Sequence, residues 1–238
     1  MIKFSKIIKD FGKLRALGGL DLEISTAGIC SILGPNGSGK TTLIKTLLGM
    51  VNPSSGSVLF DGNEIKNEWN YRKQISYLPQ IAHFPANISG NDLIEMLKDI
   101  REQEADESYF VDIFELKSHL SKKTSHLSGG TVQKLNITLA LMFDSPVIIL
   151  DEPSNGLDPV AMMHLKEIIK NERDKGKYVI LISHIMSLVE ELSDRIIFMN
   201  EGSIKFDGSV TKLAKNYASD NLEESIANLL KEENVKNI

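Results

Sequence analysis

The 238-residue chain predicts an α/β fold with a mostly parallel sheet, and three stretches carry that expectation. In the first, the short apolar strand Ile29-Cys30-Ser31-Ile32-Leu33 enters a glycine-rich loop, Gly34-Pro35-Asn36-Gly37-Ser38-Gly39. Lys40-Thr41-Thr42-Leu43-Ile44-Lys45-Thr46-Leu47-Leu48 follows with helical periodicity. In the second, Val147-Ile148-Ile149-Leu150 has the length and composition of a strand buried in a parallel sheet, and it ends in Asp151-Glu152-Pro153. In the third, Tyr178-Val179-Ile180-Leu181-Ile182 repeats that pattern and ends in Ser183-His184.

The first stretch fits G-x-x-x-x-G-K-[ST], the phosphate-binding P-loop, in the strand–loop–helix setting that the mechanism needs. Glycines at 34, 37 and 39 let successive backbone N–H groups converge on an anion at a helix N-terminus. Lys40 is placed to reach the β- and γ-phosphates of a nucleoside triphosphate, and the Thr41 hydroxyl to hold Mg2+. The second stretch supplies the acidic partner such a site requires, at a strand end where α/β folds bind ligands. Adjacent strand residues point to opposite faces. Asp151 therefore suits Mg2+, through water or the Thr41 shell, while Glu152 turns towards a nucleophilic water. His184, directly after its strand, is a candidate to reach the γ-phosphate or that water.

Composition bounds the alternatives. Apolar residues at 42% and charged residues at 25% are a globular balance, and the length suits one α/β domain with an appended subdomain. A net charge of −5 argues against a nucleic-acid binder relying on a basic surface. Cys30 is the single cysteine, so an internal disulfide or cysteine zinc cluster is excluded, and its apolar strand makes it a small buried side chain. The N-terminus lacks the apolar core of a secretion signal, and no run approaches a membrane span, so the expectation is a cytosolic protein or one docked to a membrane through something else.

The remaining elements follow in order. Residues 2–8 and 20–25 read as strands around a turn, Phe11 to Leu17, whose aromatic Phe11 is either core or a base-stacking surface. Asn52-Pro53-Ser54-Ser55-Gly56 is a turn cluster leading into the strand from Ser57. Ile75-Ser76-Tyr77-Leu78 is a short strand ended by Pro79-Gln80. Residues 89–127 alternate charged and apolar positions at helical spacing, with Arg101 to Glu107 as a solvated face or loop, and read as a helical insertion. Leu127-Ser128-Gly129-Gly130-Thr131 opens another helix, whose Ser128 and glycine amides form a second candidate phosphate-binding N-terminus. Ile196 to Met199 and Ser203 to Phe206 flank Asn200-Glu201-Gly202 as a hairpin. Residues 211–231 carry Leu222, Ile226, Leu229 and Leu230 at helical intervals, an amphipathic tail that packs on its own domain or on a partner.

The ordered set resembles the ATP-binding subunit of ABC transporters over residues 2–210. The P-loop, the Leu-Ser-Gly-Gly signature at 127–130, Val147 to Pro153, Ser154-Asn155-Gly156-Leu157-Asp158-Pro159 and His184 all stand in that family's order. The resemblance implies a P-loop NTPase core, an N-terminal antiparallel β subdomain, a helical insertion at about 86–135, and a C-terminal helical extension over 211–238. It implies that Gln80 is the glutamine that touches Mg2+ and links the site to a transmembrane permease subunit, that Phe11 stacks on adenine, and that His184 is the switch histidine. Leu157-Asp158 matches the D-loop, which crosses the dimer interface in the family. Two copies would pair head to tail, each ATP lying between one copy's P-loop and Ser128, Gly129 and Gly130 of the other, on the inner face of the cell membrane. Side chains at 129 and 130 would obstruct the close approach of backbone to the γ-phosphate.

One departure stands out: the signature's usual fifth residue, glutamine, is replaced by Thr131, which can still cap. The Leu-Ser-Gly-Gly-Thr-x-Gln-Lys variant resembles the ATPase of the system that matures the copper sites of nitrous oxide reductase, while Asp151 to Val160 also fits multidrug and gliding-type export ATPases. A soluble ABC protein acting on ribosomes or DNA is the competing class. Such proteins usually carry two cassettes or a long coiled-coil insertion, whereas this chain has one cassette, a compact insertion and an acidic balance. A purely regulatory ATP-binding module is disfavoured by the joint presence of Lys40, Asp151, Glu152 and His184.

Overall fold

Strands and helices alternate along the chain. The computed structural model describes residues 1–219 and 221–236, with side chains as far as residue 232. The first third contains β1 (Ile2–Phe11), β2 (Leu14–Ile24), β3 (Gly28–Leu33), α1 (Lys40–Leu47), β4 (Ser55–Phe60), β5 (Asn63–Glu64) and β6 (Ile75–Leu78). The middle contains α2 (Gly90–Arg101), α3 (Glu107–Ile113), α4 (Gly129–Leu141), β7 (Val147–Asp151) and α5 (Pro159–Asp174). The last third contains β8 (Tyr178–Ile182), α6 (Met186–Leu192), β9 (Arg195–Asn200), β10 (Ser203–Gly208), α7 (Val210–Tyr217) and α8 (Leu222–Lys236). Contacts divide the chain into one unit of Met1–Trp69 with Leu181–Ile238 and a second of Asn70–Ile180.

In the first unit an antiparallel sheet runs in the order β2-β1-β4-β5. Its strands are longer than the expected 2–8 and 20–25, because β1 and β2 continue to a two-residue turn at Gly12-Lys13. Phe11 is therefore the last residue of β1, paired with Leu14, and lies outside the turn. Leu17, Leu20, Leu22 and Ile24 of β2 are buried, as are Ile2, Phe4 and Ile7 of β1, where register shifts interrupt strict alternation. β3 pairs in parallel with β9, and β9 turns back antiparallel into β10 through Glu201 and Gly202, both at positive φ, which is the hairpin expected there.

The C-terminal tail divides into two helices instead of one, broken where Ala218 takes a left-handed conformation. Its apolar face is covered by its own unit: Leu213, Leu222, Ile226 and Leu229 are buried with Leu33, Val189 and Phe198, and Leu230 packs against the cluster. Residues 220, 237 and 238 of the expected extension lie outside the described residues.

In the second unit β6 and β7 pair in parallel, Ile75 opposite Val147 to Leu78 opposite Leu150, and β7 is buried at every position. α2 opens with a capping box, Ser89 accepting from Asp92 N–H while the Asp92 carboxylate accepts from Ser89 N–H. The expected solvated stretch from Arg101 to Glu107 differs at its first residue. The Arg101 guanidinium is partly buried, donating to Ile75 O at 2.7 Å and to Ser145 Oγ at 3.3 Å and lying 4.7 Å from the Phe143 ring centroid. A long side chain at a helix end can bury its stem and still pair its head, which a pattern of charges does not reveal.

Candidate functional site

The P-loop is shaped almost entirely by backbone. Gly34, Gly37 and Gly39 take φ of 147°, 81° and 103°, a region that side chains rarely adopt. Two of them also pack tightly: a Cβ on Gly34 would lie 2.1 Å from Met199 O, and one on Gly39 would lie 2.7 Å from Ala16 O. Gly37 has open space around its Cα, so its need is conformational. The loop is fastened to the β9–β10 turn by Gly202 N–H donating to Ser38 O at 3.1 Å. Pro35 O accepts from Ser38 N–H at 3.2 Å, which bends the loop around Asn36. Lys40 Nζ donates to Gly34 O at 2.7 Å and Pro35 O at 3.0 Å, holding an ammonium group over the loop. Gly39 caps α1, whose first turn exposes Thr41 and half-exposes Thr42.

Around the loop, Cys30 is buried and its thiol is pushed up to about 12 by that burial, as an inert core residue should be. Phe11 is half-exposed at 49%, and one face of its ring lies 4.9 Å from Lys9 Nζ. An exposed ring fits the stacking alternative better than the core one. His184 is exposed between β8 and α6, next to buried Ser183, whose Oγ accepts from Ile185 N–H at 3.1 Å.

The second unit carries the carboxylates. Asp151 ends β7 and is buried, and its charge adds to the burial that pushes the Tyr77 hydroxyl up to about 12. Glu152 is also buried, yet it does not continue the strand. It takes φ +52°, a left-handed conformation that costs a non-glycine residue about 1–3 kcal/mol. Alternation along a strand therefore describes Asp151 and fails at Glu152. Gln80 is exposed just beyond β6, and the preceding Pro79 O accepts from Asn136 Nδ2 of α4 at 3.3 Å.

Ser128 is the N-cap of α4, with its Oγ accepting from Thr131 N–H at 3.2 Å and lying 2.8 Å from Thr131 Oγ1. Gly129 has open space about it, as the close approach of a ligand requires, but Gly130 has a second reason to be glycine: a Cβ there would lie 2.9 Å from Gly156 O. Asp158 caps α5 by accepting from Ala161 N–H at 2.9 Å and also pairs with Lys134 at 2.7 Å. Lys134 and then that cap hold its carboxyl below the ordinary carboxylate range. Gln133, buried, donates to Pro153 O at 2.9 Å. Sequence reasoning assigned no role to Gln133 or Lys134. The available signal was a glutamine and an asparagine three residues apart on the buried face that Ile137 and Ala140 continue.

Among the described residues no group of three or more His, Cys, Asp or Glu could hold a metal, and no helix is long and apolar enough to cross a membrane.

Comparison with known proteins places this arrangement. Residues 17–155 match the family described as ABC transporter. The lantibiotic transport ATP-binding protein SrtF of Streptococcus pyogenes is 33% identical over 219 residues, 88% of this chain and 93% of that protein. The bacitracin transport ATP-binding protein BcrA of Bacillus licheniformis is 30% identical over 86% of this chain and 68% of its own length. Among solved structures, the ATP-binding subunit of an ABC transporter superposes with a TM-score of 0.89 at 23% identity, covering 97% of this chain and 99% of that one. A dimeric bacterial ABC transporter cassette superposes at 0.77 and 23% identity, covering 88% and 98%. The chain belongs to the ABC transporter family, as an ATP-binding ATPase domain with that family's α/β fold.

Proposed function

We propose that the chain is the ATP-hydrolysing subunit of an exporter-type ABC transporter, working as a head-to-tail pair beneath a separate transmembrane permease. Lys40, Thr41, Thr42 and the loop amides from Gly34 to Gly39 bind the phosphates of ATP, and Phe11 stacks on the adenine. Thr41, Gln80 and Asp151 offer hydroxyl, amide and carboxylate oxygens, a hard donor set that suits Mg2+, which when bound neutralises charge on the phosphate oxygens. Glu152 takes the proton from the attacking water, and His184 holds the γ-phosphate through hydrolysis. Ser128, Gly129 and Gly130 of the second copy complete each site.

The observation that carries this reading is the buried Glu152 at φ +52°. A carboxylate that merely ended a strand in water would have no cause to bear both burial and backbone strain. Transport is supported by the names of the relatives SrtF and BcrA, and export by that of a further relative, the Nod factor export ATP-binding protein I of Burkholderia lata, 28% identical over 207 residues. For docking to the permease at the inner face of the cell membrane, the second unit offers exposed Ile81 and, one turn apart on α2, exposed Met96 and Ile100. The Leu-Ser-Gly-Gly-Thr-x-Gln-Lys variant favours a second reading, the copper-site maturation system. The membrane protein that co-purifies with the chain separates the two readings.

The test of the composite site mixes two inactive chains. Lys40→Ala and Ser128→Arg should each abolish ATP hydrolysis alone, and their mixture should recover activity, since one of its two sites pairs an intact P-loop with an intact signature. No recovery on mixing would contradict the head-to-tail arrangement.

A further inference from the structure

Glu152 is held in a backbone conformation that its sequence does not favour. It sits at φ +52° directly before Pro153, and proline restricts the preceding residue towards extended backbone. Such a conformation persists only where the surroundings over-determine it. Here the surroundings come from α4. Gln133 Nε2 donates to Pro153 O at 2.9 Å, the carbonyl next along from Glu152. Lys134 Nζ lies 2.7 Å from the Asp158 carboxylate at the far end of the same loop. Midway, Gly156 O would lie 2.9 Å from a Cβ on Gly130. The loop from Pro153 to Asp158 is thus bonded at its start by Gln133 and at its end by Lys134, and Gly130 packs closely against its middle. Within it Asn155 N–H donates to Glu152 O at 3.3 Å and Leu157 N–H to Ser154 O at 3.2 Å, two long backbone bonds, while the Ser154 hydroxyl is buried without a hydrogen-bond partner.

We propose that Gln133 and Lys134 are positioning residues for hydrolysis. They fix the Pro153–Asp158 loop to α4, so that the placement of Glu152 depends on the helix whose N-cap is Ser128. A second copy's ATP seated at Ser128 then bears on the base through one rigid helix. The inference rests on Glu152 being that base.

The test compares steady-state ATP hydrolysis and thermal melting of the full chain and six variants. Gln133→Met keeps length and removes the donor. Asp158→Asn keeps an equally good N-cap and removes the charge that Lys134 meets. Gln133→Met should lower kcat by roughly 10- to 100-fold, the scale of a misplaced catalytic group. KM for ATP should stay within about twofold, because ground-state binding is untouched. Lys134→Met and Asp158→Asn should each lower kcat by a smaller, equal factor, with the double variant no worse than either single one. Lys134→Arg should restore the rate. Wild-type kcat in Gln133→Met, with only a lowered Tm, would overturn the inference. Should Gln133→Met not fold, additive losses in the Lys134 and Asp158 cycle would overturn it. Turnover that survives Glu152→Gln would instead overturn the base assignment and, with it, the proposal.

Discussion

The P-loop and the loop after β7 both turn sharply at the end of a buried strand, and they differ in how far away their ties come from. From Gly34 to Thr42 the shape comes from glycines at positive φ and from backbone ties such as Gly202 N–H to Ser38 O. From Glu152 to Asp158 there is one glycine at positive φ, Gly156, and two long backbone bonds, and the loop is tied in addition by side chains of a helix about twenty residues earlier, Gln133 to Pro153 O and Lys134 to Asp158. A cradle for phosphate needs N–H groups pointing one way whatever the side chains are, so a local motif suffices. A general base, the role proposed for Glu152, must be aimed within a fraction of an ångström, which a local motif alone does not supply.

Substitutions at either loop separate the two kinds of support. The largest effect should come from Gly34→Ala, whose Cβ would meet Met199 O at 2.1 Å in a backbone region closed to alanine. We expect about 3 kcal/mol or more of destabilisation, seen as a lower Tm, with ATP binding lost in calorimetry. Next, Gly130→Ala should cost about 1–3 kcal/mol through its 2.9 Å clash with Gly156 O, whereas Gly129→Ala, in open space, should melt within about 0.5 kcal/mol of wild type. Equal melts for the two alanine variants would contradict the grip on the second loop. Phe11→Ala should leave stability within about 0.5 kcal/mol, since the ring is half-exposed, and raise KM for ATP by weakening adenine stacking.

The smallest effect is a pH dependence. The Asp158 carboxyl is held below its ordinary range, first by Lys134 and then by Ala161 N–H. A depressed carboxylate adds stability above its unfolded value, about 3.9, and loses it as pH falls through the folded value. The Tm gap between wild type and Asp158→Asn should therefore be present at neutral pH and close in acid. A gap that widens in acid would reverse the sign of this contribution.

Most of the fold was legible because its signals are local. Apolar runs such as Val147–Leu150, the hairpin at Glu201-Gly202 and the P-loop each follow from a few neighbouring residues. Strand alternation misled at Glu152, since the chain leaves the strand there in a left-handed turn that apolar patterning does not signal. The partly buried Arg101 escaped because its partners, Ile75 O and Phe143, are distant in sequence. Residues such as Lys40 and Ser128 stand out in the sequence because a motif surrounds them, whereas the contacts of Gln133 and Lys134 do not, because their partners lie about twenty residues away.

In the proposed cycle binding and hydrolysis fall to separate loops, and Glu152→Gln separates the two. Bound ATP and turnover should be measured on the same sample at saturating ATP. The predicted result is ATP bound as tightly as by wild type, chains stalled as dimers, and kcat lower by roughly 10²- to 10⁴-fold. Wild-type turnover, or loss of ATP binding together with turnover, would contradict it.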